Sequence, residues 1–147
     1  MSKCLCLCII KPDAVKEGNV GRIIAIIEWL GKSRITIAQT MLLSYERACE
    51  FYQEHKGKDF FERNVRYMSS DPVLVLVVED TSGISYSQFI SNLRRLAGDT
   101  DPEKAEEGTI RQLFGSKLPA NAIHISDSQD SFLRELMILF PNIIGIV

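Results

Sequence analysis

One short run of aliphatic residues, VLVLVVE at 73–79, constrains the fold more than any other segment of the chain. Asp71 and Pro72 precede the run and Asp80 to Gly83 follow it, so turn-forming residues bound it on both sides. Its length and its β-branched composition are typical of a strand. On similar grounds we predict three further strands, over 3–10, 34–43 and 122–125.

Apolar residues recur at helical spacing between these strands. They predict helices over 20–30, after Ser44, after Asp59, over about 85–97 and after Ser128, with Asn19, Ser44 and Asp59 as candidate N-caps. The resulting order is β-α-β-(αα)-β-α-β-α. It predicts an α+β fold of the ferredoxin-like type, with a four-stranded antiparallel sheet (βαββαβ) and helices covering one face. We expect a single domain over 1–147.

The segment 98–121 lacks the regular spacing of its neighbours. It contains two prolines, Pro102 and Pro119, together with several glycines, and it leads directly into the strand that carries His124. Long irregular loops are uncommon in compact domains and tend to be functional. We therefore expect a long irregular loop to form part of an active site.

The charge balance excludes some partners. Lys and Arg total 17 and Asp and Glu total 19, which gives a net charge of −2 and predicts no specific nucleic-acid partner. No apolar stretch approaches the roughly 20 residues of a membrane span, so no membrane partner is expected. The first residues lack the pattern of a secretory signal, which predicts a cytoplasmic location.

Three cysteines alternate along the first predicted strand, at Cys4, Cys6 and Cys8. Side chains at this spacing share one face of a strand, where thiols usually act as small buried hydrophobes. A metal site is the alternative function for these thiols, but the segment contains neither a Cys-x-x-Cys pair nor a nearby histidine.

The two histidines have different surroundings. His55 lies among charged residues near a helix end and is predicted to be a solvated surface residue. His124 stands on a strand that feeds a helix N-terminus, which favours an anionic ligand. Glu135 on that helix can fold back to one imidazole nitrogen and leave the other nitrogen as a nucleophile.

Six ordered motifs give the chain a recognisable resemblance. It resembles the nucleoside diphosphate kinases in IIKPDAV at 9–15, EHKGKDFF at 54–61, YMSSDPV at 67–73, RLAGDTDP at 95–102, GTIR at 108–111 and NAIHISDS at 121–128. The resemblance implies an enzyme that moves the terminal phosphate of a nucleoside triphosphate, usually ATP, to a nucleoside diphosphate. It implies a ping-pong reaction through a phosphohistidine at His124, with Glu135 on Nε2 and with Ser126 orienting Glu135.

The resemblance also implies how the nucleotide is held. Lys11, Tyr52 and Arg111 would surround the transferred phosphoryl group, while Arg94 and Thr100 would hold the neighbouring phosphate.

Further residues would bind the rest of the nucleotide. Asn121, together with the same lysine, would bind the ribose hydroxyls, and Phe60 and Leu118 would enclose the base. Mg²⁺ would be carried mainly by the phosphates, with Asp127 as a water-mediated contact. Substrates would include ATP, GTP and the other nucleoside di- and triphosphates with their deoxy forms, and the protein would form a homo-oligomer, a tetramer or a hexamer built from dimers.

Two of the departures from the usual pattern concern predicted site residues. Asn64 stands where the family usually has leucine, and we expect it at the edge of the base. The segment between Glu79 and Arg94 is longer than usual, so Arg95 could take the place of Arg94; we expect Arg94 itself to face the site.

Two rival functions use the same kind of fold. An RNA-recognition module would need exposed aromatic residues on its central strands and a basic surface, and the run at 73–79 contains no aromatic residue. A catalytically silent homologue, acting as a nucleotide-binding or interaction module, would not need the complete set of candidate catalytic residues.

Overall fold

A computed structural model describes residues 3–143 and contains one antiparallel sheet of four strands. The strands are β1 (Leu5–Ile10), β2 (Ser33–Met41), β3 (Val73–Asp80) and β4 (Ile123–Ile125), in the order β2-β3-β1-β4. Both neighbours of β1 run antiparallel to it, and Ile9 lies opposite His124 in the register with β4. The predicted ferredoxin-like sheet is confirmed.

Seven α-helices and three short helical turns connect and follow these strands within the described residues. The helices are α1 (Pro12–Lys16), α2 (Val20–Ala25), α3 (Tyr45–Phe51), α4 (Phe61–Met68), α5 (Tyr86–Ala97), α6 (Ile110–Phe114) and α7 (Gln129–Leu139). A π-helical turn, Ile26–Leu30, continues α2, and 3-10 turns span Gln53–His55 and Pro102–Lys104. The loop predicted to be irregular therefore contains the second 3-10 turn and α6.

The predicted N-caps have mixed outcomes. Ser44 accepts a hydrogen bond from the backbone N–H of Arg47, as predicted for α3. The prediction for Asp59 is wrong, because α4 begins one residue later, with Phe60 as an N-cap that makes no side-chain hydrogen bond. Asn19 takes the N-cap position of α2 but also makes no side-chain cap hydrogen bond.

Helices cover both faces of the sheet, so the prediction of one covered face is wrong. On one face Cys6, Cys8 and Ile10 of β1 pack with residues of α1, α2 and α5. On the other, Leu5, Leu7 and Ile9 pack with residues of α3, α4 and α7. Every residue of β1 is buried, because a strand without polar alternation must be covered on both sides.

The cysteines of β1 behave as predicted from their spacing. Cys6 and Cys8 are fully buried among the apolar residues beneath α2 and α5, and Cys4 packs against the same core. All three are free thiols. They contribute apolar volume to the core on this face of the sheet.

The last helix, α7, allows a test of how much one buried side chain contributes to the free energy of unfolding. Phe132 is 2% exposed, whereas Met137 on the same helix is 56% exposed. We expect Phe132→Ala to lower the free energy of unfolding by about 3–5 kcal/mol, because it leaves a cavity under the sheet. Met137→Ala, the matched control, should change it by less than about 1 kcal/mol. Chemical denaturation of both variants measures the difference, and equal losses would contradict this description of the core.

Candidate active site

A cavity of about 480 Å³ opens beside β4 and the loop that precedes it. Apart from Ser126, every residue predicted for the site lines this cavity: Lys11, Tyr52, Phe60, Asn64, Arg94, Thr100, Arg111, Leu118, Asn121, His124, Asp127 and Glu135. Ser126 is completely buried and lies behind it. The fold thus brings together residues that are spread over most of the sequence.

His124 is held by a buried carboxylate. Its Nε2 lies 2.9 Å from Oε1 of Glu135, and the Ser126 hydroxyl donates to the same oxygen at 2.6 Å. An ionised carboxylate only accepts hydrogen bonds, so in this pair Nε2 carries the ring proton. In neutral imidazole the lone pair available for attack then belongs to Nδ1. The ring of Phe51 packs against the imidazole at 5.0 Å between centroids, edge to face.

The backbone just before β4 makes a sharp turn. Ala122 has a φ of 72°, and the N–H of Ile123 donates to the carbonyl of Asn121 at 2.9 Å. A positive φ is unusual for a residue other than glycine and requires support from the surrounding structure. Asp13 supplies it, because one carboxylate oxygen accepts from the N–H of Ala122 at 3.0 Å and the other from the hydroxyl of Tyr67 at 2.5 Å.

Four cations that line the cavity have no carboxylate partner. Among the described residues, no ion pair is formed by Lys11, Arg63, Arg94 or Arg111. Arg111 is anchored by two backbone carbonyls, those of Gly98 at 2.8 Å and Ile123 at 2.9 Å, while its Nε is buried without a partner. Cations placed together without neutralising groups favour a polyanionic ligand.

Their proximity shifts the pKa of two of these groups. Burial, and then the charge of Arg111, lowers the pKa of Lys11 to about 7. Burial and the charge of Arg94 lower the pKa of Arg111 to about 10. Both shifts mean that the surroundings disfavour the charged forms of these two side chains. A bound anion would stabilise the charged forms.

Asn121 presents an unused acceptor. Its side chain is almost completely buried, and its amide nitrogen donates to the carbonyl of Thr100 at 2.8 Å. The side-chain oxygen Oδ1 is buried without a hydrogen-bond partner among the described residues. A buried acceptor without a partner requires an explanation, and a hydroxyl group of a ligand can provide the missing donor.

An aromatic slot lies at the mouth of the cavity. Phe60 and Leu118 are partly exposed, and Asn64 follows Phe60 by one turn of α4, its N–H donating to the carbonyl of Phe60 at 3.0 Å. His55 packs against Phe60 at 5.4 Å between ring centroids and accepts a hydrogen bond from Lys58 at 3.1 Å. His55 is half-buried and lines the cavity, so the prediction of a solvated surface residue is confirmed only in part.

Tyr52 and Asp127 add a neutral donor and a negative charge. Burial, assisted by the charge of Glu135, raises the pKa of Tyr52, so its hydroxyl stays protonated. A hydrogen bond from Ser131 at 2.7 Å lowers the pKa of Asp127, and the charge of Arg94 acts in the same direction. Asp127 is therefore ionised at neutral pH.

The lengthened segment leaves Arg94 at the cavity. Asp80 accepts hydrogen bonds from the N–H groups of Ser82 and Gly83, which fixes the turn before α5. Arg94 then lines the cavity, whereas Arg95 does not and donates to the side chain of Asn92 at 2.7 Å.

Sequence reasoning assigned no role to several residues that line the cavity or support it. They include Asp13, Phe51, Glu54, Arg63, Tyr67, Pro119, Ser131 and Arg134. Asp13 follows β1 within the KPD motif, so its position at a strand end was a usable signal. The others lie on helices and in loops, where one-dimensional spacing does not reveal which elements meet.

Comparison with known proteins identifies the family. The sequence profile of the family described as nucleoside diphosphate kinase matches residues 5–143. The chain belongs to this family. It is 43% identical to the nucleoside diphosphate kinase of Streptomyces coelicolor over 136 residues, covering 92% of this chain and 95% of that protein. Identity to the Methanocaldococcus jannaschii enzyme is 41% over 133 residues, with 90% of each chain covered.

Solved structures agree with the sequence comparison. The Aquifex aeolicus nucleoside diphosphate kinase superposes with a TM-score of 0.84 at 34% identity, covering 95% of this chain and 96% of the other. The Halobacterium salinarum enzyme, solved in complex with CDP, gives 0.84 at 31% identity, covering 96% and 90%. The chain is thus a phosphotransferase of the nucleoside diphosphate kinase type, and the alternative of a silent homologue is not favoured.

The lowered pKa of Lys11 predicts proton uptake on nucleotide binding. Above pH 7 this amine is largely neutral in the free protein, whereas nearby phosphates stabilise its charged form and raise its pKa. Affinity for a nucleoside diphosphate should therefore be greatest below about pH 7 and fall as the pH rises, by up to about tenfold per unit until the pKa of the complex is reached.

Calorimetric titration of ADP at pH 8 in two buffers of different ionisation enthalpy measures the uptake. Lys11→Arg keeps a positive charge at every accessible pH and should take up no proton at this position. Equal proton uptake by the variant and the wild-type protein would contradict the assignment to Lys11.

Proposed function

We propose that the protein transfers the terminal phosphate between nucleotides through a phosphohistidine at Nδ1 of His124. The observation that carries the proposal is the chain of contacts from Ser126 through Glu135 to Nε2 of His124. The cavity also contains four cations that form no ion pair among the described residues. The buried carboxylate holds the ring proton on Nε2, which leaves the other nitrogen nucleophilic. The unpaired cations suit the negative charge of phosphates in the ground state and the transition state.

The phosphate transfer requires no additional acid or base. The Nδ1 lone pair of His124 forms a bond to the terminal phosphorus while the bond from that phosphorus to its bridging oxygen breaks. The nucleoside diphosphate leaves with the electron pair on that oxygen, and the proton on Nε2 stays beside Glu135. A second nucleoside diphosphate then attacks the phosphohistidine with its terminal oxygen, which reverses these steps and regenerates the histidine.

The remaining residues are assigned by what their side chains can offer. Lys11, Arg111 and the Tyr52 hydroxyl would contact the transferred phosphoryl group, and Arg94 with Thr100 the neighbouring phosphate. The unpaired oxygen of Asn121 supports a hydrogen bond from a ribose hydroxyl.

The same reasoning covers the base and the range of substrates. Phe60 and Leu118 would enclose the base, and stacking tolerates any base because each has an aromatic face. The substrates would accordingly be nucleoside di- and triphosphates in general, ATP and GTP included.

The residues present fit a Mg²⁺ ion carried by the phosphates. Within residues 3–143 no group of three or more His, Cys, Asp or Glu side chains could hold a metal by itself. Asp127 is ionised and lines the cavity, and magnesium commonly uses one or two carboxylates together with substrate phosphates and water. When bound, the ion would neutralise phosphate charge, and Asp127 would hold it through a water molecule.

Surface features support self-association. Within the described sheet β2 pairs only with β3, so its outer edge can accept another strand. Trp29 is 83% exposed, Leu30 58% and Leu42 67%, and all three lie near the two ends of β2 in the sequence. An open strand edge is a surface on which a second copy of the chain can pair. We infer that copies of the chain associate at the edge of β2, in a tetramer or a hexamer built from dimers.

None of the helices within residues 3–143 has the length and apolar character needed to cross a membrane. The cytoplasmic location and the single domain over 1–147 stay predictions of the sequence.

The proposal predicts that His124→Ala loses phosphate transfer and keeps its fold. Removing the nucleophile eliminates a covalent step, so kcat should fall by more than about 10³-fold. Incubation with γ-labelled ATP should give the wild-type protein an acid-labile, base-stable phosphate, and the variant none. His55→Ala is the matched control because it should still be labelled. A labelled His124→Ala protein with unchanged thermal unfolding would mean that another residue carries the phosphate.

A further prediction concerns the base. Asn64 lies one turn from Phe60 and lines the cavity, and its amide can both donate to and accept from a base edge. One hydrogen bond contributes about 0.5–1.5 kcal/mol, equivalent to roughly 2- to 12-fold in affinity. We expect Asn64→Leu to change the ranking or the spread of kcat/KM across the common nucleoside diphosphates. If both proteins rank the bases identically and with the same spread, Asn64 does not read the base.

A further inference from the structure

Arg134 stands next to Glu135 on α7 and lines the cavity, but its guanidinium faces protein atoms. Its Nη1 donates to the carbonyls of Phe51 at 3.2 Å and Glu50 at 3.4 Å. Its Nε lies 3.3 Å from Oε1 of Glu54, an ion-pair distance without hydrogen-bond alignment. These contacts connect α7 to the end of α3 and to the 3-10 turn that follows it.

Arg134 donates to backbone carbonyls at the C-terminal end of α3. The last carbonyls of an α-helix have no N–H donor within the helix, and a basic side chain can supply one. Phe51 is the last residue of α3, and its ring packs edge to face against the imidazole of His124. Arg134 therefore fixes the backbone of the residue that supports one side of the candidate nucleophile.

Arg134 also contacts Glu135, the residue that holds the imidazole through Nε2. The Nη2 of Arg134 lies 3.8 Å from Oε2 of Glu135, whose side chain is only 5% exposed. Within residues 3–143 the side-chain hydrogen bonds of Glu135 both end on the other oxygen, Oε1, which contacts His124 and Ser126. Apart from His124, Arg134 is the only ion-pair partner of Glu135 among residues 3–143.

We propose that Arg134 is a positioning residue for phosphate transfer, which orients His124 by fixing Glu135 on one side and Phe51 on the other. It does not bind the phosphates, because its donors face carbonyls and carboxylates. The inference rests on the phosphohistidine proposed above. A small displacement of a reacting group can cost about 10²-fold in rate, so the effect should fall on the transfer step and leave nucleotide affinity unchanged.

The test compares Arg134→Gln and Arg134→Lys with a control, Arg34→Gln. Arg34 also pairs with a buried carboxylate, that of Glu79, through two contacts of 3.2 Å, and its partner lies outside the cavity. Single-turnover labelling with γ-labelled ATP gives the rate of phosphohistidine formation, and calorimetry gives the affinity for ADP. Phosphorus NMR of the alkali-denatured phosphoprotein shows which ring nitrogen carries the phosphate.

We expect Arg134→Gln to slow labelling by about 10- to 100-fold, with ADP affinity within about twofold of the wild-type value. A fraction of the phosphate should move from Nδ1 to Nε2, because the ring is less firmly held. Arg134→Lys, which keeps a charge beside Glu135 and preserves folding, should recover part of the rate. Arg34→Gln should label at the wild-type rate with phosphate on Nδ1 only.

Three results would overturn the inference. One is a wild-type labelling rate with phosphate on Nδ1 only in both Arg134 variants, whatever their unfolding temperatures, since the role would then be structural. Another is an ADP affinity that falls in parallel with the rate, because Arg134 would then bind substrate. An equal loss of rate in Arg34→Gln would trace the effect to stability. Absence of label on the wild-type protein would instead refute the phosphohistidine itself.

Discussion

The burial of β1 on both faces organises the molecule. Because Leu7 and Cys8 point into opposite cores, helices must pack against both sides of the sheet. The strand ends at the KPD turn, where the backbone N–H of Lys11 donates to the carbonyl of Ala122 at 2.8 Å. His124 lies opposite Ile9 in the same register. Two candidate catalytic residues, Lys11 and His124, are thus positioned by a strand that is buried on both faces, which limits their displacement relative to each other.

Among the described residues, several cations of the candidate site lack the carboxylate partners that cations elsewhere in the protein have. On the surface, Lys16 pairs with Asp71 at 3.0 Å and Arg66 with Glu62 at 2.7 Å. Inside the cavity Lys11 and Arg111 donate to backbone carbonyls instead, which hold the side chains in place without cancelling their charges. Arg111 illustrates this, with two carbonyl partners and no carboxylate. The field of these cations therefore stays available to a ligand.

The sequence predicted the sheet because its strands depend on local signals. Most of the site residues were instead inferred from the resemblance to the family, and the structure brings them to one cavity. The four strands follow from composition and turn residues, and His124 with Glu135 follows from a strand that leads into a helix. It failed where tertiary packing decides. His55 lies among charged residues in the sequence, yet it lines the cavity and packs against Phe60. The contacts of Arg134 with Phe51 and Glu54 have no local signal, because those residues are distant from it in the sequence. The second covered face was readable from the uninterrupted apolar run of β1, since such runs are typical of strands covered on both sides.

The position of the only tryptophan has an optical consequence. Trp29 lies in the π-helical turn after α2, is 83% exposed, and does not line the candidate site. In a single chain, the fluorescence emission of Trp29 is therefore that of an indole in water, both before and after unfolding. A ligand in the cavity does not contact Trp29. A blue-shifted emission spectrum accordingly reports that another molecule covers this surface. The intrinsic tryptophan fluorescence of this protein therefore reports contacts made at this turn and not the binding of a nucleotide in the cavity.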